Sequence, residues 1–511
     1  MRGKSLMLMG TASSVGKSML CAAILRIMKQ DGLKAAPFKS QNMALNSFVT
    51  KEGLEMGRAQ VTQAEAAGIE PSVLMNPVLL KPVGDRCSQV IVCGRAVGNL
   101  SAAEYDRFKP QLRERIREIY SGLEKNVELV VIEGAGSPAE INLKENDIVN
   151  MFMAETADAP VLLIGDINPG GVFASLYGTV KLLGEEERRR VKGIIINKFR
   201  GDRMILEPGL KMIEDLLGIP VIGVIPWIDI DLEEEDSMTG RFARRAGDGQ
   251  IRTAIVQLPH ISNFTDFSLL DREPDVSVYY TSRSAGLMDA DIIILPGTKN
   301  TIEDLNWLRE CGLADEIIRH ARKGGMVIGV CGGYQMLGKN LHDPLHSESR
   351  IPGASGLGLL DFSVTFHAEK ITAQTGGVIE CGTGWMREMN GIRVDGYEIH
   401  SGVNAYGESC VPFLMLNGHS EAGGVCNREG NVFGSYLHGL FDSGSLWHAF
   451  VSRVRMQKGL RLNDVELLTV QQLRDCELNR LADIVRQNLD MESVYRIIHG
   501  DDIPCGRWDH D

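Results

Sequence analysis

Nine residues near the N-terminus carry the pattern of a phosphate-binding loop. The segment Gly10-Thr-Ala-Ser-Ser-Val-Gly-Lys-Ser18 follows the apolar run Leu6–Met9 and precedes the helix-like stretch Met19–Lys29. In this order of strand, loop and helix, backbone N–H groups and the helix dipole hold an anion, and a lysine reaches the outer phosphates. The alternative is a glycine-rich turn that caps a helix. The predicted nucleotide-binding residues here are Gly10, Thr11, Gly16, Lys17 and Ser18.

Two more residues at strand ends fit such a site. Glu133 closes the apolar run Leu129–Ile132, where a carboxylate is placed to hold Mg²⁺ directly or through water. The Ser18 hydroxyl and Glu133 are therefore the predicted metal ligands, and a solvated strand-end carboxylate is the alternative for Glu133. Asn197 follows the run Gly193–Ile196 and is predicted to contact the nucleotide, unless it only forms a strand-end turn.

Cys331 has the setting of a nucleophile. It stands between the apolar run Met326–Val330 and the helix-like Tyr334–Leu337, with glycines on both sides. A sharp turn from strand to helix exposes its central side chain, and the helix N-terminus favours a thiolate. Backbone N–H groups near Gly332 and in the loop with Gly297 are predicted to stabilise an oxyanion. The alternative for Cys331 is a small buried core residue.

A thiolate nucleophile needs a base, and we predict His438 for that role. It closes the apolar run Val432–Tyr436, and it would take the thiol proton and later donate it to leaving ammonia. A structural histidine at a strand end is one alternative. The other is that His400, in Gly396-Tyr-Glu-Ile-His400, is the base instead.

Composition excludes several classes of protein. The 511 residues carry a net charge of −13, which argues against a general nucleic-acid binder. Twelve Lys/Arg against six Asp/Glu in the first 100 residues suit a small anionic ligand there, or reflect chance. The ten cysteines form no CxxC pair, so we expect a reducing cytoplasm rather than disulfides. No apolar run is long enough for a membrane span, and we expect no signal peptide.

The elements that must position these residues form two series. Unbroken apolar runs that alternate with helix-like stretches predict parallel strands covered by helices on both faces. The first series consists of Leu6–Met9, Val90–Cys93, Leu129–Ile132, Val161–Ile164, Gly193–Ile196 and Val221–Ile225. The second consists of Thr253–Leu258, Val276–Tyr280, Asp291–Leu295 and Met326–Val330, and the later runs Phe362–Phe366 and Val432–Tyr436 favour antiparallel strands.

These runs predict an α/β protein with two main domains. Residues 1–232 form the P-loop domain, and the acidic, then Arg- and Gly-rich stretch 233–250 is predicted to be a linker. Residues 251–445 form the domain with the thiol. Helical spacing of leucines in the tail predicts that residues 446–511 are a helical cap packed on this second domain.

Several motifs together resemble the glutamine-hydrolysing cobyric acid synthases over nearly the whole chain. The phosphate loop is one residue longer than GxxxxGK[ST], as in dethiobiotin synthetase and its relatives. The other marks are Pro37-Phe-Lys-Ser-Gln-Asn-Met-Ala-Leu-Asn46, Lys81-Pro-Val-Gly-Asp85, Ser88-Gln-Val-Ile-Val92, Glu133-Gly-Ala-Gly-Ser-Pro-Ala-Glu-Ile-Asn-Leu143, Asn197-Lys-Phe-Arg-Gly-Asp202 and Gly329-Val-Cys-Gly-Gly-Tyr-Gln-Met-Leu-Gly338.

The resemblance implies a fold, an activity and ligands. The fold is a dethiobiotin-synthetase-like sheet domain followed by a class I glutamine amidotransferase domain. The activity is amidation of the b, d, e and g carboxylates of adenosylcobyrinic acid a,c-diamide with ATP, Mg²⁺ and glutamine, in the cytoplasm. Cys331 matches the family nucleophile and His438 its base. The residues carried over to the corrinoid substrate are Gln41, Asn42, Asp85 and Gln89. The positive charge of the N-terminal stretch makes Lys81 a further candidate partner of the substrate carboxylates, unless it is a plain surface charge.

The chain departs from the related sequences at two points. The family usually has Asp-Arg where this chain has Asn168-Pro169, so no role is assigned to those two residues. Amidotransferases of this fold usually place a Glu two residues after the catalytic His, and this chain has Leu440 there. That lack is typical of the cobyric acid branch, and it leaves open which residue orients His438.

Two other functions remain as alternatives. One is the enzyme for the preceding a,c-diamide step, which pairs the same two domain types. The motif with Gln41 and Asn42 favours the later enzyme. The other is a partition-type ATPase switch with an inactive glutaminase-like domain. Such switches usually carry a second lysine early in the loop, where this chain has Thr11, Ala12 and Ser13.

Overall fold

The structure is a computed structural model that describes residues 4–84, 87–230, 232, 249–418, 422–462 and 468–506. The chain divides into two compact units that do not follow the chain order. Unit 1 comprises residues 1–44, 56–235 and 474–511, and unit 2 comprises residues 45–55 and 236–473. The predicted linker 233–250 lies outside the described residues except for its last two positions.

The strands of unit 1 form two sheets. Their bounds are β1 Lys4–Gly10, β2 Ala35–Phe38, β3 Gln41–Met43, β6 Val78–Gly84, β7 Cys87–Val92, β8 Arg95–Ser101, β9 Leu129–Glu133, β10 Val161–Asp166, β11 Val191–Phe199 and β12 Val221–Pro226. The helices that begin in this part of the chain are α1 Lys17–Gln30, α2 Arg58–Ala67, α3 Ala102–Glu124, α4 Met151–Thr156, α5 Val172–Leu182, α6 Glu185–Arg190 and α7 Arg203–Leu217.

The main sheet of unit 1 is parallel and is buried on both faces. Its order is β12-β11-β10-β1-β9-β2, so β1 and the loop after it stand in the middle. Met7 and Met9 face one core, while Leu6 and Leu8 face the other. This two-sided burial is why the strands read as unbroken apolar runs. Because the strands are parallel, the loops that follow them lie along one edge of the sheet, where such sheets bind ligands.

One expected strand belongs elsewhere. The run Val90–Cys93 was predicted in the parallel sheet, but it lies in and just after β7, in a separate four-stranded sheet of order β3-β6-β7-β8. There β7 pairs antiparallel with both neighbours. Its place in the main sheet is taken by β2, which has only four residues and contains Pro37. A strand this short at the sheet edge leaves little signal in the sequence.

The prediction for the tail was wrong in part. The stretch 446–511 was expected to pack on the second domain, but residues 474–506 pack on unit 1. Leu478, Leu481 and Val485 enter the same core as Leu6 and Leu8 of β1. Helical spacing of leucines identifies an apolar face but not the surface that covers it.

Polar contacts hold the tail on unit 1. Arg26 of α1 donates to Asp475 Oδ1 at 2.9 Å and to Asn479 Oδ1 at 2.8 Å. The backbone N–H of Asp490 donates to Ile222 O of β12 at 2.8 Å. The helices of the tail are α12 Val470–Asn488 and α13 Met491–His499.

Unit 2 is built on one large mixed sheet. Its strands are β13 Ile251–Val256, β14 Val276–Thr281, β15 Ile292–Leu295, β16 Met326–Val330, β17 Asn340–His342, β18 Gly353–Ser355, β19 Phe362–Ile379, β20 Arg393–Tyr406, β21 Val411–Leu416, β22 Ala422–Cys426 and β23 Val432–Ser435. Its helices are α8 Thr301–Glu310, α9 Leu313–Arg322, α10 Gly332–Leu337 and α11 Ser445–Gln457. The order is β14-β13-β15-β16-β23-β22-β21-β19-β17-β18, and β20 pairs with β19.

Half of this sheet is parallel and half is largely antiparallel. β13, β14, β15, β16 and β23 run parallel, so the loops after β13, β15, β16 and β23 meet at one edge. β23 was expected to be antiparallel and is so only on its other side, against β22. α11 packs on this core through Phe450 and Val454, so this early part of the predicted cap lies where it was expected.

A short hairpin from the N-terminal part of the chain belongs to unit 2. Its strands are β4 Ser47–Val49 and β5 Glu55–Gly57, and residues 45–55 lie within unit 2. Val49 packs against Tyr397 and Ile399 of β20. Across the described part of the chain, the helices are too short or too polar to cross a membrane.

Candidate functional site

The phosphate-binding loop lies where β1 ends and α1 begins. Gly16 has a φ of +96°, and a Cβ there would lie 2.1 Å from Asn197 Nδ2, so both conformation and space require glycine. The Lys17 ammonium donates to Ala12 O at 2.9 Å and to Gly136 O at 3.1 Å. The lysine charge is thus held at the loop, where a phosphate group would meet the backbone N–H groups and the start of α1.

Three side chains converge on the buried carboxylate of Glu133 at the end of β9. Ser18 Oγ donates to Oε1 at 2.7 Å, and Lys39 Nζ donates to the same oxygen at 2.9 Å. Gln63 Nε2 donates to Oε2 at 2.6 Å. Burial acts to raise the pKa of Glu133, but the Lys39 ammonium and these hydrogen bonds outweigh it and hold the pKa below its ordinary value. The group is therefore an anion.

The predicted metal ligands Ser18 and Glu133 are brought together by this arrangement. A hydroxyl beside a carboxylate is an oxygen donor set that suits Mg²⁺. The positive charge that faces Glu133 Oε1 in this structure is the Lys39 ammonium. A cation that binds Oε1 directly therefore has to displace Lys39, whereas one that binds through water does not.

Asn197 supports the loop from the neighbouring strand. Its Nδ2 donates to Val15 O at 2.8 Å, and its side chain is buried. Lys198 follows with a φ of +59°, donates to Ser14 O at 2.5 Å and pairs with Asp166 at 2.9 Å. The structure thus gives Asn197 a role in shaping the loop, and its contact with a nucleotide base stays a prediction. Asn168 and Pro169, on the next loop, are exposed.

The residues predicted for the substrate lie on the four-stranded sheet of unit 1. Lys81 and Gln89 stand opposite each other on β6 and β7, on the same face as Leu79 and Ile91. Lys81 is buried there beside Leu79 and Ile91, and its contact with a carboxylate of the substrate stays a prediction. Asp85 lies outside the described residues.

The other two predicted substrate residues are on β3. Gln41 Oε1 accepts from Tyr105 OH at 2.6 Å, so its amide is engaged on the α3 side of the sheet. Asn42 is buried, and its Nδ2 donates to Gln60 Oε1 of α2 at 2.8 Å. Gln60 and Gln63 of α2 were not singled out in the sequence.

In unit 2, Cys331 stands at a strained turn between β16 and α10. Its φ of +50° and ψ of −110° are unusual for a residue with a side chain, as the strain of a nucleophile elbow predicts. A Cβ on Gly332 would lie 3.0 Å from Thr298 N, and one on Gly297 would lie 3.2 Å from His438 Cε1. The predicted oxyanion loops around Gly297 and Gly332 are therefore adjacent, and both stand beside the thiol and the imidazole.

His438 is oriented by a residue that the sequence did not reveal. Its Nδ1 donates to Asp266 Oδ2 at 2.7 Å, and Gly439 N donates to Asp266 Oδ1 at 3.1 Å. Burial opposes a charge on His438, but the Asp266 carboxylate and the Cys331 sulfur raise its pKa to about 10. The imidazole is therefore protonated at neutral pH, and Cys331 is one of its hydrogen-bond partners.

His400 has a different environment. Its Nδ1 donates to Gly402 O at 2.8 Å, and its ring stacks on Tyr436 with 3.6 Å between centroids. Burial lowers its pKa to about 4, so it stays neutral. In the described chain no carboxylate bonds to it, and this supports His438 rather than His400 as the base.

The hairpin of residues 45–55 contacts two residues that lie beside His438. Tyr397 stacks on the imidazole at 5.2 Å and donates its hydroxyl to Ser47 O at 2.9 Å. Ser47 N donates to Asn263 Oδ1 at 3.0 Å, and Asn263 Nδ2 lies 3.3 Å from His438 Nε2. The chain that follows the motif with Gln41 and Asn42 thus contributes to the surroundings of the base.

One signal for Asp266 was available in the sequence. The loops that carry Asp266, Gly297, Cys331 and His438 follow β13, β15, β16 and β23, which are neighbours in the parallel half of the sheet. Ligand-binding residues collect at the carboxyl ends of such strands. The loop after the predicted strand Thr253–Leu258 was therefore a place to seek the missing carboxylate.

Comparison with known proteins covers both units. The family described as the CobQ/CobB/MinD/ParA nucleotide binding domain matches residues 6–238, and the CobB/CobQ-like glutamine amidotransferase domain matches residues 252–446. The chain is 53% identical to a cobyric acid synthase of Alkaliphilus metalliredigens, over 97% of this chain and 100% of that protein. It is 50% identical to a cobyric acid synthase of Caldanaerobacter subterraneus, over 96% of this chain and 98% of that protein. A third, of Photorhabdus laumondii, is 49% identical over 97% and 98%.

Proposed function

The chain belongs to the cobyric acid synthase family, and we propose that it converts the b, d, e and g carboxylates of adenosylcobyrinic acid a,c-diamide into amides, giving adenosylcobyric acid. It does so as a glutamine-hydrolysing, ATP-dependent amide ligase. The observation that carries the proposal is the meeting of Cys331, His438 and Asp266 at one sheet edge, on a chain whose other unit holds the phosphate-binding loop.

The P-loop site activates the corrinoid carboxylate that accepts the ammonia. A carboxylate cannot accept ammonia directly because oxide is not a leaving group. A carboxylate oxygen therefore first attacks the γ-phosphorus of ATP, the bond from that phosphorus to the β,γ-bridging oxygen breaks, and ADP leaves as the acyl phosphate forms. The carboxylate is already the nucleophile, so this step needs no strong base. Lys17 and the loop N–H groups neutralise the charge that builds up on the transferred phosphoryl group. Ser18 and Glu133 would hold Mg²⁺, which supplies further charge neutralisation when bound.

Lys39 is placed to move between two partners. It pairs with Glu133 at 2.9 Å in this structure and is buried. Lys39 pairs with Glu133 in this structure, and if Glu133 instead held Mg²⁺, the Lys39 ammonium would be available to the acceptor carboxylate or the acyl phosphate. The acceptor carboxylate and the acyl phosphate are both anionic, so the Lys39 ammonium would have a negative partner before and after it leaves Glu133. Lys81 and the polar residues Gln41, Asn42 and Gln89 hold the corrinoid.

The thiol site supplies ammonia. The Cys331 thiolate attacks the side-chain carbonyl carbon of glutamine, and N–H groups near Gly332 and Gly297 stabilise the oxyanion. His438 then gives its proton to the leaving nitrogen, and the C–N bond breaks. Water hydrolyses the resulting thioester with His438 as the base, which restores the thiol site and releases glutamate. Asp266 keeps the imidazole in the orientation and tautomer that both steps need.

Mass spectrometry of the corrinoid tests the proposal. The purified protein is incubated with adenosylcobyrinic acid a,c-diamide, ATP, Mg²⁺ and amide-labelled glutamine. We expect four successive conversions of carboxylate to amide, each carrying the label. If the protein instead converts the precursor with free a and c carboxylates, it catalyses the preceding step. If glutamine and ATP are consumed without any corrinoid amide, the proposal is wrong.

A further inference from the structure

Helix α2 of unit 1 presents two buried amide side chains, each with one end unpaired. Gln60 is 0% exposed and Gln63 is 1% exposed. Within the described part of the chain, Gln60 Nε2 and Gln63 Oε1 have no hydrogen-bond partner. A buried polar atom without a partner is costly, so such atoms in a native site call for a ligand or a water.

The orientation of both amides is fixed by what their other ends contact. Gln60 Oε1 accepts from Asn42 Nδ2 at 2.8 Å, so its unpaired end is the N–H₂ donor. Gln63 Nε2 donates to Glu133 Oε2 at 2.6 Å, and carboxylates only accept, so its unpaired end is the carbonyl acceptor. A flipped amide would place two donors or two acceptors against each other in either case.

The two unpaired ends form a complementary set. Residues three apart on a helix lie on the same face, so α2 offers one donor and one acceptor side by side. Two nucleotide oxygens would need two donors, and a cation would need acceptors. A group that carries a C=O next to an N–H matches one donor with one acceptor. In a site that forms an amide, the C=O is that of the acyl phosphate, and the N–H is that of the incoming ammonia.

The pair also stands next to the residues of phosphoryl transfer. Gln63 bonds to Glu133, which in turn holds Ser18 of the phosphate loop and Lys39. Gln60 bonds to Asn42 of the substrate sheet. The paired end of Gln60 therefore contacts the substrate sheet, and the paired end of Gln63 contacts the carboxylate beside the phosphate loop, so α2 connects the two parts of the site.

We propose that Gln60 and Gln63 form the subsite in which ammonia meets the acyl phosphate, an inference that rests on the proposed function. Gln60 Nε2 donates to the acyl oxygen, and Gln63 Oε1 accepts one N–H of ammonia and turns its lone pair to the acyl carbon. The C–N bond forms as the C–O bond to phosphate breaks, phosphate leaves with the electron pair, and it takes the proton that the nitrogen loses. An amide oxygen is too weak a base for that proton, so Gln63 binds and orients the nucleophile without accepting its proton.

The ratio of ATP consumed to amide formed tests this role. We would compare Gln60→Met and Gln63→Met with the unchanged protein, supplying ammonium chloride instead of glutamine so that the thiol site is bypassed. Methionine keeps the length of the side chain but removes the strong donor and acceptor. We expect amide formation to fall about tenfold while ATP consumption falls less than about threefold, because water then competes for the acyl phosphate. Gln111→Met, on the exposed face of α3, is the matched control and should leave the ratio unchanged.

A second variant guards against a folding defect. Gln60→Glu keeps an oxygen to accept from Asn42 but turns the unpaired donor into a carboxylate oxygen that repels the acyl oxygen. We expect it to raise the ratio more than Gln60→Met does. The inference is overturned if the ratio stays at the wild-type value in all three variants. It is also overturned if ATP consumption and amide formation fall together, because that outcome places the residues in phosphoryl transfer or in Mg²⁺ binding. A wild-type protein that forms no amide would refute the proposed function itself.

Discussion

Glu133 in unit 1 and Asp266 in unit 2 are both buried carboxylates beside a cation, but their contacts differ in kind. Among the residues that the structure describes, the donors to Glu133 are all side chains, those of Ser18, Lys39 and Gln63. Asp266 accepts from the His438 ring with one oxygen and from a backbone N–H with the other. Side-chain partners can be exchanged for a metal ion or a ligand, whereas a backbone partner cannot. The comparison suggests that Glu133 changes partners during the reaction and that Asp266 keeps its own.

The largest effect is expected when each site is disabled in turn. Cys331→Ala removes the sulfur that attacks glutamine, so glutamine-dependent amidation should fall by about 10⁴-fold or more, as for other removed nucleophiles. Ammonium-dependent amidation should continue at close to the wild-type rate, because the P-loop site is untouched. Lys17→Ala should abolish both activities. Loss of ammonium-dependent activity in Cys331→Ala would show that the two sites are not separable.

Asp266→Asn tests the fixed carboxylate. Asparagine fits the space but leaves His438 without its anion and favours the wrong tautomer, so glutamine hydrolysis should fall by about 10²- to 10⁴-fold. Ammonium-dependent amidation measures whether unit 1 is intact, and it should not change. Asp289→Asn, an exposed carboxylate of the same unit, is the control. A variant that hydrolyses glutamine within threefold of the wild-type rate, a barrier change of about 0.6 kcal/mol or less, would exclude Asp266 as the orienting group.

Glu133→Gln tests the exchangeable carboxylate. It leaves the buried Lys39 ammonium without its anion, so the free energy of unfolding of unit 1 should fall by about 3–5 kcal/mol, as for other broken buried pairs. ATP-dependent amidation should fall with either nitrogen source, and saturating Mg²⁺ should not restore it. Glu114→Gln, in an exposed pair on α3, should change stability by less than about 1 kcal/mol. If Glu133→Gln turned over ATP at the wild-type rate, Glu133 would be excluded as a ligand of the metal ion.

The comparison also shows what the sequence could predict. The phosphate loop and the elbow at Cys331 are local patterns, in which one strand, one turn and one helix place the functional group. Asp266 reaches His438 only because β13, β15, β16 and β23 are neighbours in the sheet, and single-sequence patterns do not give the order of strands. For the same reason Glu133 could be predicted, because it ends a strand, whereas its contacts with Lys39 and Gln63 could not.

The fold repeats this division between local and long-range information. Unbroken apolar runs identified five of the six strands of the parallel sheet in unit 1, because burial on both faces imposes them. The run Val90–Cys93 has the same composition but lies at β7 of a different sheet. The tail from residue 474 was assigned to the wrong unit because its leucines show that a face is buried without showing by what.

The stability contributions of His438 and Glu133 should depend on pH in opposite directions. A group whose pKa is raised on folding stabilises the folded state below its unfolded pKa and loses this contribution as the pH rises through its folded pKa. For His438 that window runs from 6.5 to about 10. The stability difference between wild type and Asp266→Asn should thus be largest below pH 6.5 and should shrink toward pH 10, as measured by denaturant unfolding. Glu133, whose pKa is lowered, should give the opposite trend, with its contribution lost in acid.

The smallest expected effect concerns the hairpin beside His438. Tyr397→Phe keeps the ring that stacks on the imidazole and removes only the hydroxyl that donates to Ser47 O. One hydrogen bond contributes about 1 kcal/mol, so glutamine hydrolysis should fall about threefold to tenfold, through kcat rather than KM, because the base is less well held. Tyr177→Phe, at an exposed position, is the control. If Tyr397→Phe lowers stability but leaves kcat unchanged, the hairpin holds the fold of unit 2 and has no part in placing His438.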